Sequence, residues 1–172
     1  MERLEMMFKI LMSACLCGEH CRYDGKANTI ENKIMNTWKE EGRIVMVCPE
    51  MAGGLPVPRD PAEIIGNKVI SKSGRDVTSE YTEGAGEALR LARENDVIFC
   101  IMKENSPSCG SHEVYDGTFS GKKVFGMGIA AAMLEENGFR VYNEHQIIEA
   151  YRELDEAEYE EEMYEAVMNL RF

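Results

Sequence analysis

The sequence of 172 residues lacks the features that mark membrane and secreted proteins. No apolar run approaches the roughly 20 residues that a membrane-spanning helix needs. The opening segment, MERLEMMFKILMSACL, mixes acids and bases before a short apolar stretch, which is not the pattern of a secretory signal peptide. We therefore expect a cytoplasmic protein with no membrane partner.

Positive charge is scarce as well. The chain has 19 Lys and Arg against 31 Asp and Glu, which gives a formal net charge of −12 at pH 7. Half of this charge lies in residues 155–172, which contain seven acids and one base, and the rest of the chain is still acidic. Because such a field repels phosphate, and no stripe of Lys or Arg offsets it, we expect no nucleic-acid polymer as a partner. A small molecule fits this charge better.

The chain has no C-x-x-C pair, although it contains six cysteines. A reducing compartment keeps cysteines from forming a disulfide framework, so these are core residues, catalytic thiols or metal ligands. A structural zinc site usually has two close pairs of cysteines, and ferredoxin-type clusters place their cysteines in one compact run. Neither arrangement occurs here.

Short apolar runs alternate with helical patterns along the chain. In chain order these are strand 8–14, helix 29–41, strand 43–48, helix 79–95, strand 97–102, helix 128–137, strand 139–142 and a helical remainder. Segments 49–61 and 104–123 are predicted to be irregular, and a hairpin is predicted over 68–78 around Ser73-Gly74. The alternation predicts an α/β three-layer sandwich with a mostly parallel sheet. We divide it into one domain, 1–145, and an acidic helical extension, 146–172.

Three cysteines follow three different predicted strands. Cys15 comes just after the first strand, Cys48 ends the second, and Cys109 lies in the loop after the third. Ligands of an open parallel sheet bind at the carboxyl ends of its strands, so we expect these three thiols to lie close together. Cys100 lies within a strand and is interpreted as a small core residue.

Three dispersed thiolates suit more than one kind of site. They fit an iron–sulfur cube with one open iron that acts as a Lewis acid, whereas zinc or a set of buried or redox thiols are the alternatives. Glu50, two residues after Cys48, is placed to act as an acid or base beside such a site. Cys17 and Cys21 share the first loop with Cys15, and their roles stay open.

At these positions the sequence resembles a known family. The similar segments are SACLCG (13–18), CRYDG (21–25), VCPE (47–50), GGLP (53–56), PR (58–59), SPSCGS (106–111) and YDGTFSG (115–121). The resemblance runs in order from about residue 9 to residue 144, which is nearly the whole domain. The segments are similar to those of the small bacterial and archaeal family that includes the thiouracil desulfidases.

The resemblance implies a [4Fe-4S] cluster held by three cysteines, with the fourth iron free to take the sulfur of a thiolated small molecule. Matched motif by motif, the cluster ligands are Cys15, Cys48 and Cys109, and the catalytic residues are Glu50 and Ser106. The implied reaction is a non-redox removal of sulfur from 4-thiouracil or a related thiopyrimidine. It gives a uracil-type product and hydrogen sulfide.

Two departures from the family pattern leave alternatives open. Cys17 stands where relatives commonly carry an aliphatic residue, and the acidic extension lies outside the shared domain. The extension has an apolar stripe that we expect to pack on the domain's own surface, with pairing of two copies as the alternative: Tyr159, Met163, Ala166, Val167 and Leu170. The protein is thus expected to be a monomer or homodimer. A sulfur donor in a thiolation pathway and a non-catalytic cluster- or zinc-binding regulatory module are the competing functions.

Overall fold

The structure, a computed structural model, describes residues 7–170. The strands are β1 (Lys9–Ser13), β2 (Ile44–Val47), β3 (Ala62–Ile65), β4 (Lys68–Ser71), β5 (Val97–Met102), β6 (Glu113–Tyr115), β7 (Lys123–Phe125) and β8 (Val141–Asn143). The helices are α1 (Lys33–Glu40), α2 (Pro49–Ala52), α3 (Thr78–Glu94), α4 (Ile129–Glu136) and α5 (Ile147–Asn169). None of these helices is long and apolar enough to cross a membrane.

Four strands form one parallel sheet in the order β2-β1-β5-β8. Strands β1 and β5 are central. Leu11 of β1 lies opposite Val45 of β2 on one side and opposite Cys100 of β5 on the other, so β1 is paired on both sides. Continuous apolar runs such as VIFCIM are typical of parallel strands that are covered on both faces. The predicted three-layer α/β fold with a mostly parallel sheet is confirmed.

Alternate residues of the central strands build two separate halves of the core. Ile10 and Met12 of β1 face α1 and α5, where they pack with Trp38 and Leu154. The alanine-rich faces of α3 and α4 cover the other side of the sheet, which includes Leu11 and the fully buried Cys100. Cys100 is therefore a core residue, as predicted.

The strand order predicts a ligand-binding site between the two central strands, at the carboxyl-terminal edge of the sheet. The chain passes from β1 to β2 on one side and then returns to β5 on the other side of β1. The connections thus diverge between β1 and β5, and ligands of such sheets bind outside the carboxyl ends of the strands at this switch point. The predicted thiol loops all leave the sheet at this edge.

Two helix predictions were wrong in detail. Helix α1 begins at Lys33 instead of residue 29, because the Asn32 side chain accepts hydrogen bonds from the backbone N–H groups of Ile34 and Met35 and caps the helix there. The segment after Cys48 was expected to be irregular but opens with the short helix α2. Pro49 is its first residue, where the missing N–H of proline costs no helical hydrogen bond.

The predicted hairpin over 68–78 is present in a short form, and a second hairpin that was not predicted precedes it. Strands β3 and β4 pair across the turn at Gly66-Asn67. After the predicted turn at Ser73-Gly74 the chain returns along β4, with a bridge between Ile70 and Asp76 and a hydrogen bond from the Val77 N–H to the Val69 carbonyl at 2.9 Å. The predicted irregular segment 104–123 also contains β6, which pairs with β7. The β3–β4 hairpin and the β6–β7 hairpin lie outside the parallel sheet, beside its carboxyl-terminal edge.

Helix α5 joins the core by its first half only. Ile147 and Leu154 are buried, and Arg43 pairs with Glu158 at 2.7 Å. Beyond this ion pair the predicted apolar stripe is exposed, from 46% for Val167 to 85% for Leu170. The expectation that the stripe packs on the domain's own surface was therefore wrong. The division of the chain at residue 145 stays a prediction.

Candidate active site

The carboxyl ends of β1, β2 and β5 border a cavity of about 460 Å³. This volume is within the range of small-molecule sites, roughly 300–1,000 Å³. All five residues that were predicted for the site line the cavity: Cys15, Cys48, Glu50, Ser106 and Cys109. The structure thus brings together side chains that are up to 94 positions apart in the sequence.

Each cysteine is placed by the local structure at the end of its strand. Cys15 lies in a short 3₁₀ turn after β1, and its carbonyl accepts a hydrogen bond from the Asn28 N–H at 2.9 Å. Cys48 is the N-cap residue of α2. Cys109 follows Ser108, whose carbonyl accepts the N–H of Ala130 at 2.8 Å, in the first turn of α4. The N–H groups at the start of α4 therefore hold the Cys109 loop in place.

Helix α2 lies unusually close to α3, and this contact positions Glu50. A Cβ atom on Gly84 of α3 would lie 1.8 Å from the Pro49 carbonyl oxygen, and one on Gly53 would lie 1.8 Å from the Glu80 carbonyl oxygen. Only glycine allows two backbones to approach so closely. The two glycines thus determine where the segment from Cys48 to Glu50 can lie.

Glu50 forms a largely buried ion pair with Arg59. The Arg59 Nη2 and Nε atoms lie 2.6 Å and 2.8 Å from Glu50 Oε2, and the two side chains are only 7% and 14% exposed, Arg59 being the more buried. Burial would lower the pKa of Arg59, but the Glu50 carboxylate outweighs it and the pKa is raised. Arg59 also donates to the Cys21 carbonyl at 2.9 Å, so it links Glu50 to the first thiol loop.

Ser106 connects Glu50 with the third thiol loop. Its Oγ accepts the backbone N–H groups of Ser108 and Cys109, both at 3.1 Å. The same hydroxyl donates to Glu50 Oε1 at 3.4 Å. Ser106 is thus a structural part of the Cys109 loop as well as a neighbour of the carboxylate.

Glu104 holds the rest of the Cys109 loop through hydrogen bonds to its backbone. Its buried carboxylate accepts the backbone N–H groups of Asn105, Ser111, His112 and Glu113. Burial would raise the pKa of Glu104, but these hydrogen bonds to the ionised form outweigh it and the pKa is lowered. The carboxylate therefore stays charged and fixes the loop that carries Cys109.

Cys21 is a fourth thiol in the cavity wall and lies between two of the predicted ligands. Its side chain is hydrogen-bonded to Cys15 and to Cys48, which lowers the pKa of both, that of Cys48 to about 7. The same two contacts raise the pKa of Cys21. Burial raises the pKa of the Cys109 thiol. Cys15 and Cys48 are thus the thiols most readily converted to thiolates, the form that binds metals.

The placement of the three predicted thiols suits an iron–sulfur cluster. Cys15, Cys48 and Cys109 lie on three separate loops around one cavity. A cluster contains several irons, and each iron can bind one thiolate. The residues present therefore fit an iron–sulfur cluster.

Some functional neighbours were not predicted from the sequence. Arg59 and Glu104 act through long-range contacts. Arg59 lies in the PR segment (58–59) that resembles the family, which is the signal that could have identified it, whereas nothing in the local sequence distinguishes Glu104 from a surface charge. The role of Cys21 depends on the path of the first loop. Cys17 packs against the core on the side of α1 instead of lining the cavity, and burial raises its pKa to about 11.

Comparison with known proteins identifies the family of this chain. The model of the family described as 2-thiouracil desulfurase matches residues 10–146. A solved structure, the [4Fe-4S]-dependent thiouracil desulfidase TudS, is 43% identical with a TM-score of 0.85, and the match covers 87% of this chain and 99% of that chain. An uncharacterised protein of Bacillus subtilis (strain 168), YbbK, is 46% identical across 80% of this chain and 97% of its own length. The chain belongs to the 2-thiouracil desulfurase family.

Proposed function

We propose that this protein is a [4Fe-4S]-dependent enzyme that removes sulfur from a thiolated pyrimidine and releases hydrogen sulfide. The observation that carries the proposal is the convergence of three thiols, a carboxylate and a hydroxyl on one cavity. Membership of the 2-thiouracil desulfurase family and the similarity to TudS support the cofactor and the substrate class.

The proposed cluster ligands are Cys15, Cys48 and Cys109. When bound, the cluster supplies a Lewis-acidic iron that can accept the thiocarbonyl sulfur and polarise its bond to carbon. The overall reaction is a hydrolysis, in which water gives its oxygen to the ring carbon and its two protons leave with the sulfur. No net electron transfer is needed.

Glu50 is the proposed general base. The ion pair with Arg59 occupies Oε2, so Oε1 is the oxygen that can take a proton from the attacking water and later return it. Ser106 donates to Oε1 and at the same time accepts two N–H groups of the Cys109 loop. It therefore keeps the base at a set position relative to the proposed ligand Cys109.

We propose 4-thiouracil as the substrate. The decisive experiment is anaerobic reconstitution of the cluster, followed by separate incubation with 4-thiouracil and 2-thiouracil and measurement of uracil and sulfide. We expect equal amounts of uracil and sulfide, with faster turnover of 4-thiouracil, and no release by protein without a cluster. An intact cluster that releases no sulfide from either compound contradicts the proposal and favours a sulfur donor or a regulatory module.

A further inference from the structure

The loop between β6 and β7 contains a residue in an unfavourable backbone conformation. Phe119 has a φ of 55°, in the left-handed region that L-residues with large side chains rarely adopt. In the part of the chain that the structure describes, Asp96 and Asn105 also have positive φ, but Asp and Asn tolerate this region. Strain of this kind is concentrated at ligand-binding sites, where the surroundings enforce it.

The loop's own contacts enforce the conformation of Phe119. The Glu63 Oε1 atom accepts the N–H groups of both Gly117 and Phe119 at 3.2 Å, and Glu63 is only 6% exposed. Gly117 presses on β3, since a Cβ atom there would lie 2.9 Å from the Ile64 carbonyl oxygen. The backbone conformation at Phe119 is thus fixed by the buried carboxylate of Glu63.

Phe119 is part of the cavity wall and not of the core. Phe119 is half-buried, lies outside all three clusters of buried apolar residues within residues 7–170, and lines the same cavity as Cys15 and Glu50. A strained position that holds an aromatic ring against a cavity, with no share in the core, is expected where the ring contacts a ligand.

We propose that Phe119 is a specificity-determining residue that stacks on the substrate ring and selects planar heteroaromatic thiones over saturated ones. This inference rests on the proposed function and narrows its substrate class. Aromatic side chains stack on every nucleobase because each base has a flat π-face. A stacked ring leaves the edge of the substrate free for the thiols and for Glu50.

The test compares four variants of the cluster-loaded protein by calorimetric titration with uracil and with its saturated, non-planar analogue 5,6-dihydrouracil. We expect Phe119→Tyr to keep the affinity for uracil. Phe119→Leu and Phe119→Gly should weaken it about tenfold, or about 1.4 kcal/mol, and change the affinity for dihydrouracil little. Phe125→Leu, on an aromatic residue that is 91% exposed on β7, is the matched control and should change neither.

Phe119→Gly also separates binding from folding. Glycine adopts a φ of 55° without strain, so this variant should melt at the same temperature as the wild type or higher while it binds uracil more weakly. Unchanged uracil affinity in a folded Phe119→Gly variant overturns the proposal. So does an equal loss of affinity for uracil and dihydrouracil, since a simple apolar wall would behave in that way.

The failure of this inference is distinguishable from failure of the proposed function. If the wild type releases no sulfide from thiouracil but the titration pattern holds, the desulfidation proposal fails and the stacking role stands. If the wild type releases sulfide and Phe119→Gly keeps the wild-type KM for 4-thiouracil, the stacking role fails and the proposed function stands.

Discussion

Glu50 and Arg59 face each other in a nearly dry part of the cavity wall, and this ion pair governs what substitution of the carboxylate does. Glu50→Gln should retain the cluster but lose turnover by a factor on the order of 10²–10⁴, the usual contribution of a general base. The melting temperature should fall as well, because Arg59 loses its buried partner. Iron content, thermal melting and sulfide release measure the three effects.

The control for this variant is Asp60→Asn, which removes a carboxylate from the same cavity wall without breaking the pair with Arg59. It should keep most of the turnover. Loss of the cluster in Glu50→Gln would show that Glu50 is structural or itself a ligand. Full turnover with an intact cluster would assign the proton transfer to another residue.

The ligand proposal predicts different outcomes for chemically identical substitutions. Cys15→Ser, Cys48→Ser and Cys109→Ser should each abolish most of the bound iron and the visible absorbance after anaerobic reconstitution, because serine is a poor replacement for a thiolate ligand. Cys17→Ser, which changes a thiol outside the cavity wall, should leave both intact.

Cys21→Ser is the most discriminating variant of this series, since Cys21 contacts both Cys15 and Cys48. If Cys21 is only a hydrogen-bonding neighbour, its serine variant should still load the cluster. A fully loaded variant among the three proposed ligands, together with an empty Cys21→Ser, would transfer the assignment to Cys21.

Ser106 has two tasks, and two substitutions separate them. Ser106→Ala leaves the N–H groups of Ser108 and Cys109 without their acceptor, so we expect slower turnover and less cluster retained, at a cost of about 1–3 kcal/mol to the loop. Ser106→Thr keeps the hydroxyl and should retain the cluster. Iron content after gel filtration and the rate of sulfide release measure the two tasks. Full retention of iron by Ser106→Ala would contradict the structural task.

At the scale of elements, the contact between α2 and α3 leaves no room for even one added methyl group. Gly84→Ala would place a methyl group 1.8 Å from the Pro49 carbonyl oxygen, so α2 must move and carry Glu50 with it. We expect a lower melting temperature and a large loss of turnover. Gly86→Ala, on the same helix with nothing within 4 Å, should instead stabilise the protein by up to about 1 kcal/mol and keep its activity. Equal behaviour of the two variants would contradict the role given to this contact.

Elements with a strong local pattern could be predicted from the sequence, and elements that depend on packing could not. The run Val97–Met102 was predicted with its observed bounds because it is apolar on both faces. Helix α2 has only four residues, too few for any periodicity, and it is stabilised by its contact with α3. The turn at Ser73-Gly74 was predicted, whereas the pairing of β3 with β4 was missed, because β3 has only four residues and shows no clear alternation.

The same distinction applies to the candidate site. The meeting of Cys15, Cys48 and Cys109 could be predicted because the carboxyl ends of parallel strands share one edge of a sheet. The ion pair of Arg59 with Glu50 could not, since it depends on the path of an irregular loop. Strand order thus predicts which loops meet, and only the folded chain determines which side chains touch.

At the scale of the whole molecule, α5 divides into a packed half and a projecting half. Deletion of residues 159–172 leaves Ile147, Leu154 and the ion pair between Arg43 and Glu158 in place, so we expect an unchanged melting temperature and a loaded cluster. Deletion of residues 147–172 removes part of the core and should give an insoluble protein. Thermal melting, iron content and sedimentation of the two truncated proteins check this. Loss of the cluster after the shorter deletion would mean that the projecting half closes over the site.

The position of β1 in the sheet has a consequence for biosynthesis. β1 is made first, but its partner β5 begins 50 residues after β2 ends. At roughly 5–20 residues per second, a ribosome needs about 3–10 s to cover that interval. During this time one edge of β1, a central strand whose residues Ile10, Leu11 and Met12 are fully buried in the folded protein, has no partner in the nascent chain. Cys109 emerges later still, so the proposed cluster site can be completed only after most of the polypeptide has been synthesised.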